Sequence, residues 1–238
     1  MPSLDDYLTT PQATNDRPLL GQTILVVEDS RYACEALRLM CLRSGARIRM
    51  ADCLTSARRH LKVYRPSVIV IDIGLPDGSG ADLLEDLANA SPRVDVILGT
   101  SGDPNGQDMA LAAGADGFLE KPLTSLAAFQ DAVLSHLPDD RRPSGPRSVN
   151  DEIIVPDRIA YQNDMAHIAD VLGAETDARV LDYITQFTGG VARTASDREL
   201  SIAVENVIDA RTEGRHLPTA IAALSGLVQD RLNARAVI

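Results

Sequence analysis

Val68-Ile-Val-Ile-Asp72-Ile-Gly-Leu-Pro-Asp77-Gly-Ser-Gly80 is the stretch that decides the fold of this chain. Its run of β-branched residues reads as a fully buried strand. The strand stops at a carboxylate, Asp72, and a loop rich in Gly, Pro and Asp follows. In open α/β sheets, ligands bind in the crevice beyond the carboxyl ends of the strands. Asp72 is therefore the residue whose neighbours matter.

Working outward, the same pattern recurs on both sides. Ile24-Leu-Val-Val27 is a buried-strand run ending in Glu28-Asp29, with Ser30 placed to cap a helix that Gly45 stops. A short strand over Ile48–Ala51 and a helix over Thr55–Tyr64 lead to Pro66 and the opening strand. Beyond it lie a helix over Ala81–Ala88 and a strand over Val94–Leu98 that ends at Gly99-Thr100-Ser101-Gly102. Asp103 and Pro104 open a helix as cap and first residue, and it runs to Ala113. A strand at Gly117–Leu119 precedes Glu120-Lys121-Pro122, and a helix spans Ser125–Leu137. Five strands alternating with five helices predict a parallel sheet with helices on both faces.

The flanking segments differ in kind. Residues 1–20 carry Pro2, Pro11 and Pro18 with little periodicity and read as a flexible tail. Residues 139–150 hold Pro, Gly, Ser and charge, the composition of a linker. From 151 to 238 the pattern becomes helical, near Pro156–Leu172, Asp177–Phe187, Asp197–Arg211 and Pro218–Ala234, with Gly173, Gly189-Gly190 and Gly214 as separators. The expected architecture is a doubly wound α/β domain over 21–138 followed by a small all-α domain over 151–238.

Composition narrows the function classes. The formal charge is −11 and the 238 residues contain only two lysines, Lys62 and Lys121. The acidic balance argues against nonspecific attraction to nucleic acid or anionic lipid. Three scattered cysteines without metal-ligand spacing, and no signal peptide, point to a reducing cytoplasm. No apolar run reaches the roughly 18 residues that a membrane span needs.

Four polar groups follow apolar strands directly: Glu28-Asp29, Asp72, Thr100 with Ser101 beside it, and Lys121. In a parallel sheet all of them sit at one edge. Three clustered carboxylates repel one another unless a cation is present. Oxygen ligands with open positions suit Mg²⁺, which keeps waters and accepts phosphate oxygens. Asp29 and Asp72 would be direct ligands with the Gly74 carbonyl, and Glu28 would act through a bound water. Asp72 could then attack phosphorus to form an acyl phosphate, with Lys121 and the Thr100 hydroxyl holding the transferred oxygens.

These residues resemble the receiver (CheY-like) domain of bacterial two-component response regulators. The resemblance covers Gly21 to Leu137. It rests on Ile-Leu-Val-Val-Glu28-Asp29-Ser, Val-Ile-Asp72-Ile-Gly-Leu-Pro-Asp-Gly-Ser-Gly, Thr100, and Gly114-Ala-Asp-Gly-Phe118-Leu-Glu-Lys121-Pro122. It implies a flavodoxin-like five-stranded sheet in the order 2-1-3-4-5, and Mg²⁺ at Glu28, Asp29 and Asp72. It also implies that Asp72 is the phosphoacceptor for a histidine kinase or histidine phosphotransfer protein, and that the bond before Pro122 is cis. Phe118 matches the switch aromatic of the family. No enzyme activity is implied beyond Mg²⁺-dependent self-phosphorylation and autodephosphorylation. The sequence departs from the pattern at Gly99 before Thr100, at Ser101, after which the family's usual Ala or Gly comes one residue late, and at Leu123, which replaces the usual Phe. The switch hydroxyl is therefore Thr100 or, in the alternative, Ser101.

Residues 151–238 do not resemble the DNA-binding outputs of that family. They hold 14 acids against 8 arginines, a net of −6, so a phosphate backbone is a poor partner. The reading preferred for this half is a module that binds a protein target or a second copy of itself. The alternative is a DNA-binding transcriptional output of atypical helical form. His167 lacks the flanking residues of a phosphotransfer histidine.

Overall fold

The computed structural model describes residues 12–145, 149–173, 177–214 and 216–234. Strands β1 (Thr23–Val27), β2 (Arg47–Ala51), β3 (Val68–Asp72), β4 (Val96–Ser101) and β5 (Gly117–Glu120) form one sheet in the order 2-1-3-4-5, every pair parallel. Helices α1 (Arg31–Ser44), α2 (Leu54–Val63), α3 (Gly80–Ala88), α4 (Gly106–Ala112) and α5 (Leu126–Leu134) alternate with them. A two-stranded hairpin, Gly74–Leu75 against Gly78–Ser79, folds the loop after β3.

Side-chain alternation along the strands splits the core in two. Ile24, Val26, Val68, Val70, Val96 and Leu98 face α1 and α5, where Leu37, Met40, Phe129 and Val133 meet them. Leu25, Val27, Ile69, Ile71 and Ile97 face the other way, onto Ala57, Leu83, Leu84 and Ala110. The central strand β3 is buried at all five positions, as its unbroken apolar run requires. The register sets Asp72 beside Thr100, and all five strand ends open on the same edge.

The helical half consists of α6 (Arg158–Gly173), α7 (Ala178–Thr194), α8 (Arg198–Thr212) and α9 (Leu217–Asn233). It has a core of its own, built on Met165, Ile168, Leu181, Ile184, Leu200, Val204, Val207, Leu224 and Val228. Among the described residues no helix is long and apolar enough to cross a membrane.

Several boundaries differ from the sequence expectation. The sequence predicts a flexible tail over residues 1–20. Residues 1–11 lie outside the described residues, and Leu19 is fully buried, with its N–H donating to Ser44 O at 2.9 Å. The linker was placed at 139–150, of which 146–148 also lie outside the described residues. The next segment, expected in the helical half, stays with the sheet domain: Ile154 is buried in its core and its N–H donates to Thr124 O at 2.8 Å. Strand β4 runs on through Ser101, so Thr100 is a strand residue. Helix α4 begins at Gly106, because Asp103 caps a turn by accepting from Asn105 N at 2.7 Å. Gly189-Gly190 does not separate helices. It lies within α7, where buried Gly189 faces Val204 of α8, and the chain reverses at Ser196, with φ of 56°.

Candidate functional site

Each carboxylate reaches the edge of the sheet because the strand beneath it ends there. The three acids Glu28, Asp29 and Asp72 offer oxygens that all lie within 4.8 Å of one another. Lys121, delivered by β5, places Nζ 2.7 Å from Asp72 Oδ2 and 2.7 Å from Glu28 Oε2. The peptide bond from Lys121 to Pro122 is cis, as expected. The Gly74 N–H donates to Asp72 Oδ1 at 3.2 Å.

Charge explains the state of these groups. Burial pushes the Glu28 carboxyl well above the ordinary range, against the pull of Lys121. Burial and the Asp72 carboxylate push Asp29 up to about 7. Burial alone would lower Lys121, but Asp72 and Glu28 overcome it and hold the ammonium charged. One ammonium against three carboxylates leaves two negative charges unbalanced. Glu28 Oε2, although close to Lys121, has no donor at a hydrogen-bonding angle. A hard divalent cation fits that deficit and the three convergent carboxylates.

The hydroxyls occupy different positions. Thr100 is fully buried and donates to Leu119 O at 2.7 Å, so its proton is committed to β5. Ser101 lines the crevice together with Asp72 and Lys121, and its Oγ accepts from Asp103 N at 3.0 Å. Phe118 is half-buried and packs against Gly99 and Gly106, one layer away from the acids. The expected residues thus divide: Glu28, Asp29, Asp72, Gly74, Ser101 and Lys121 converge, Thr100 is adjacent in register, and Phe118 lies behind.

Reading the sequence alone missed the contribution of the helical half. Tyr183 of α7 donates to Asp29 Oδ2 at 2.9 Å. His167 Nε2 lies 3.0 Å from the Tyr183 hydroxyl. Because that proton goes to Asp29, the imidazole acts as donor. Asp164 of α6 closes the start of α1: it accepts from Ser30 Oγ at 2.8 Å, Arg31 N at 2.7 Å and Tyr32 N at 3.0 Å. Gln186 and Arg193 line the crevice from above. Tyr183, Gln186, Gly190 and Arg193 share one helix face by spacing, which was legible, but nothing local names what that face meets. Asp77, quoted above only as a loop residue, caps α2 by accepting from Leu54 N at 2.8 Å and Thr55 N at 2.9 Å.

Comparison with known proteins agrees with this geometry. Residues 24–133 match the family described as the response regulator receiver domain. The KDP operon transcriptional regulatory protein KdpE of Escherichia coli is 32% identical over 99 residues, 42% of this chain and 44% of that protein. The probable transcriptional regulatory protein TcrX of Mycobacterium tuberculosis is 35% identical over 103 residues, 43% and 44% of the two chains. Response regulator MprA of Mycobacterium leprae is 30% identical over 137 residues, 56% and 60%. The chain thus spans about half the length of these relatives. Among solved structures, the signal receiver domain of a histidine kinase from Syntrophus aciditrophicus is 26% identical. That match covers 53% of this chain and 98% of the other, with a TM-score of 0.44. The family match ends before α6 begins. Residues 24–133 of this chain are a response regulator receiver domain.

Proposed function

We propose that Asp72 accepts a phosphoryl group from a histidine kinase or histidine phosphotransfer protein, and that the chain is a cytoplasmic switch in a phosphorelay. The observation that carries this reading is the convergence of Glu28, Asp29 and Asp72 around one buried lysine at the carboxyl edge of the sheet. An Asp72 oxygen attacks phosphorus, an O–P bond forms, and the N–P bond of the donor phosphohistidine breaks, its electron pair staying on the imidazole. The Lys121 ammonium faces the phosphoryl oxygens, and the Thr100 or Ser101 hydroxyl donates to them. Asp29, Asp72 and the Gly74 carbonyl would hold Mg²⁺, with Glu28 acting through water, and the cation would supply the charge that lets an anion approach. The chain turns over no substrate beyond its own phosphorylation and dephosphorylation.

The helical half acts by contact with a protein target or a second copy. The names of KdpE and TcrX favour one other reading, a DNA-binding output. Titration with random duplex DNA across salt concentrations separates the two, since strong and steeply salt-dependent binding supports the second. The phosphoacceptor role is tested by incubation with acetyl phosphate. Labelling that requires Mg²⁺, is labile to hydroxylamine and disappears in Asp72→Asn supports it, and equal labelling of the variant overturns it.

A further inference from the structure

The crevice over Asp72 has two walls. One is the receiver edge and the other is helix α7. The space between them is about 20 Å³, room for about one water molecule. A phosphoryl group on Asp72 does not fit there, while Glu28 and Asp29 on the other side border an open cavity of about 1250 Å³. The contacts of α7 fall on the residues that the chemistry needs. Tyr183 donates its proton to Asp29 Oδ2, occupying one of the two oxygens this acid offers. The Gln186 side chain lies flat on Gly74, where a Cβ would come within 2.2 Å of Nε2. The Arg193 guanidinium lies over Gly102, where a Cβ would come within 2.6 Å of Nη2. Among the described residues the Arg193 guanidinium makes no ion pair, so it sits over the crevice without an acid of its own.

We propose that helix α7 and a divalent cation compete for the acidic cluster, so that the helical half closes the site in the metal-free chain and releases it when the cation binds. The inference rests on the metal reading given under the proposed function. The packing permits the motion. The apolar residues of α7, Leu181, Ile184, Val191 and Ala192, belong to the helical core, which shares no residue with either receiver core. Moving α7 from the edge together with the rest of the helical half leaves each core intact and breaks the contacts across the seam, those of Asp164 and the Tyr32–Tyr161 ring contact included. Tyr183 is the latch, because its hydrogen bond ties α7 to an acid on which a cation would draw. By linkage, whatever weakens the latch must tighten the cation.

The test is Mg²⁺ binding to the full chain, followed by calorimetric titration and by amide hydrogen exchange across residues 178–194. Tyr183→Phe keeps the ring packing and removes the donor. Loss of one hydrogen bond to a charged group predicts Mg²⁺ affinity about tenfold tighter in the variant. Faster exchange in α7 is expected when Mg²⁺ is added to the unmodified chain. Gln186→Ala, at an exposed position, provides a second variant that leaves both cores untouched and shifts affinity in the same direction. Equal Mg²⁺ affinity in all three proteins, with unchanged exchange at α7, overturns the inference and leaves the metal site standing. No saturable Mg²⁺ binding in any of them overturns the metal reading and the inference with it.

Discussion

Asp164→Ala is the substitution that separates a structural dock from a passing contact between the two halves. Asp164 is 1% exposed and belongs to α6, yet its carboxylate serves α1. The first four N–H groups of a helix lack partners within the helix. In α1, Ala33 N is satisfied by Ser30 Oγ at 3.1 Å and Cys34 N by Ser30 O at 2.9 Å. Arg31 N and Tyr32 N both depend on Asp164. Burial raises the acid above its usual range, and the three donors pull it back, the Tyr32 N–H most strongly. Removing the carboxylate leaves two N–H groups and the Ser30 hydroxyl without an acceptor, at about 1–3 kcal/mol for each buried group. Undocking of α6 would re-expose them to water and so limits the total, which we place at about 3 kcal/mol. Asp164→Asn keeps one acceptor oxygen and should lose about half of that. Urea unfolding of the full chain, with all three proteins fitted to a common slope, measures the difference. A loss under about 0.5 kcal/mol for Asp164→Ala, or equal losses for Ala and Asn, refutes the capping role.

Three further outcomes follow from the geometry. Lys121→Met removes the one cation that, among the described residues, is bonded to Asp72 and Glu28, so labelling by acetyl phosphate should slow about 100-fold while Mg²⁺ affinity rises in titration. Gly99→Ala places a Cβ 2.5 Å from that of Ala110 and should destabilise the receiver by about 1–3 kcal/mol in the same urea experiment. Asp197 accepts from Arg231 Nε at 2.7 Å and from the Tyr161 hydroxyl at 2.7 Å, and the Arg231 bonds hold its carboxyl down at about 2. Because the folded value lies below the unfolded one, this stabilisation is present above about pH 4. It is lost as pH falls toward 2, and Asp197→Asn should flatten that part of the stability curve.

The receiver was legible because its signals are local. Ile24–Val27 and Val68–Ile71 are continuous apolar runs that suit buried parallel strands, and each ends at an acid. Strand polarity then carries Glu28, Asp29, Asp72 and Lys121 to one edge without any knowledge of packing. What escaped depends on contacts distant in sequence. Tyr183 lies 154 residues from Asp29, and Asp164 lies 133 from Arg31, so no spacing rule links them. Gly189-Gly190 reads as a break by propensity, but the packing of α7 in the helical core overrides it and keeps the helix continuous. Leu19 stands beside Leu20, and Ile154 between Ile153 and Val155, in short proline-flanked stretches, and only the finished core shows which of them fills a place in it. The choice between Thr100 and Ser101 turns on where a hydroxyl proton goes, which depends on the β5 carbonyl of Leu119.

On the proposed function, the carboxylate of Asp72 receives the phosphoryl group. Borohydride reduction traps an acyl phosphate by converting its aspartate to homoserine, and peptide mapping then locates the reduced residue. After treatment of the full chain with acetyl phosphate and Mg²⁺, the account predicts homoserine at position 72 and none at positions 28 or 29. Label at another residue, or an unreduced Asp72 in fully phosphorylated protein, would contradict it.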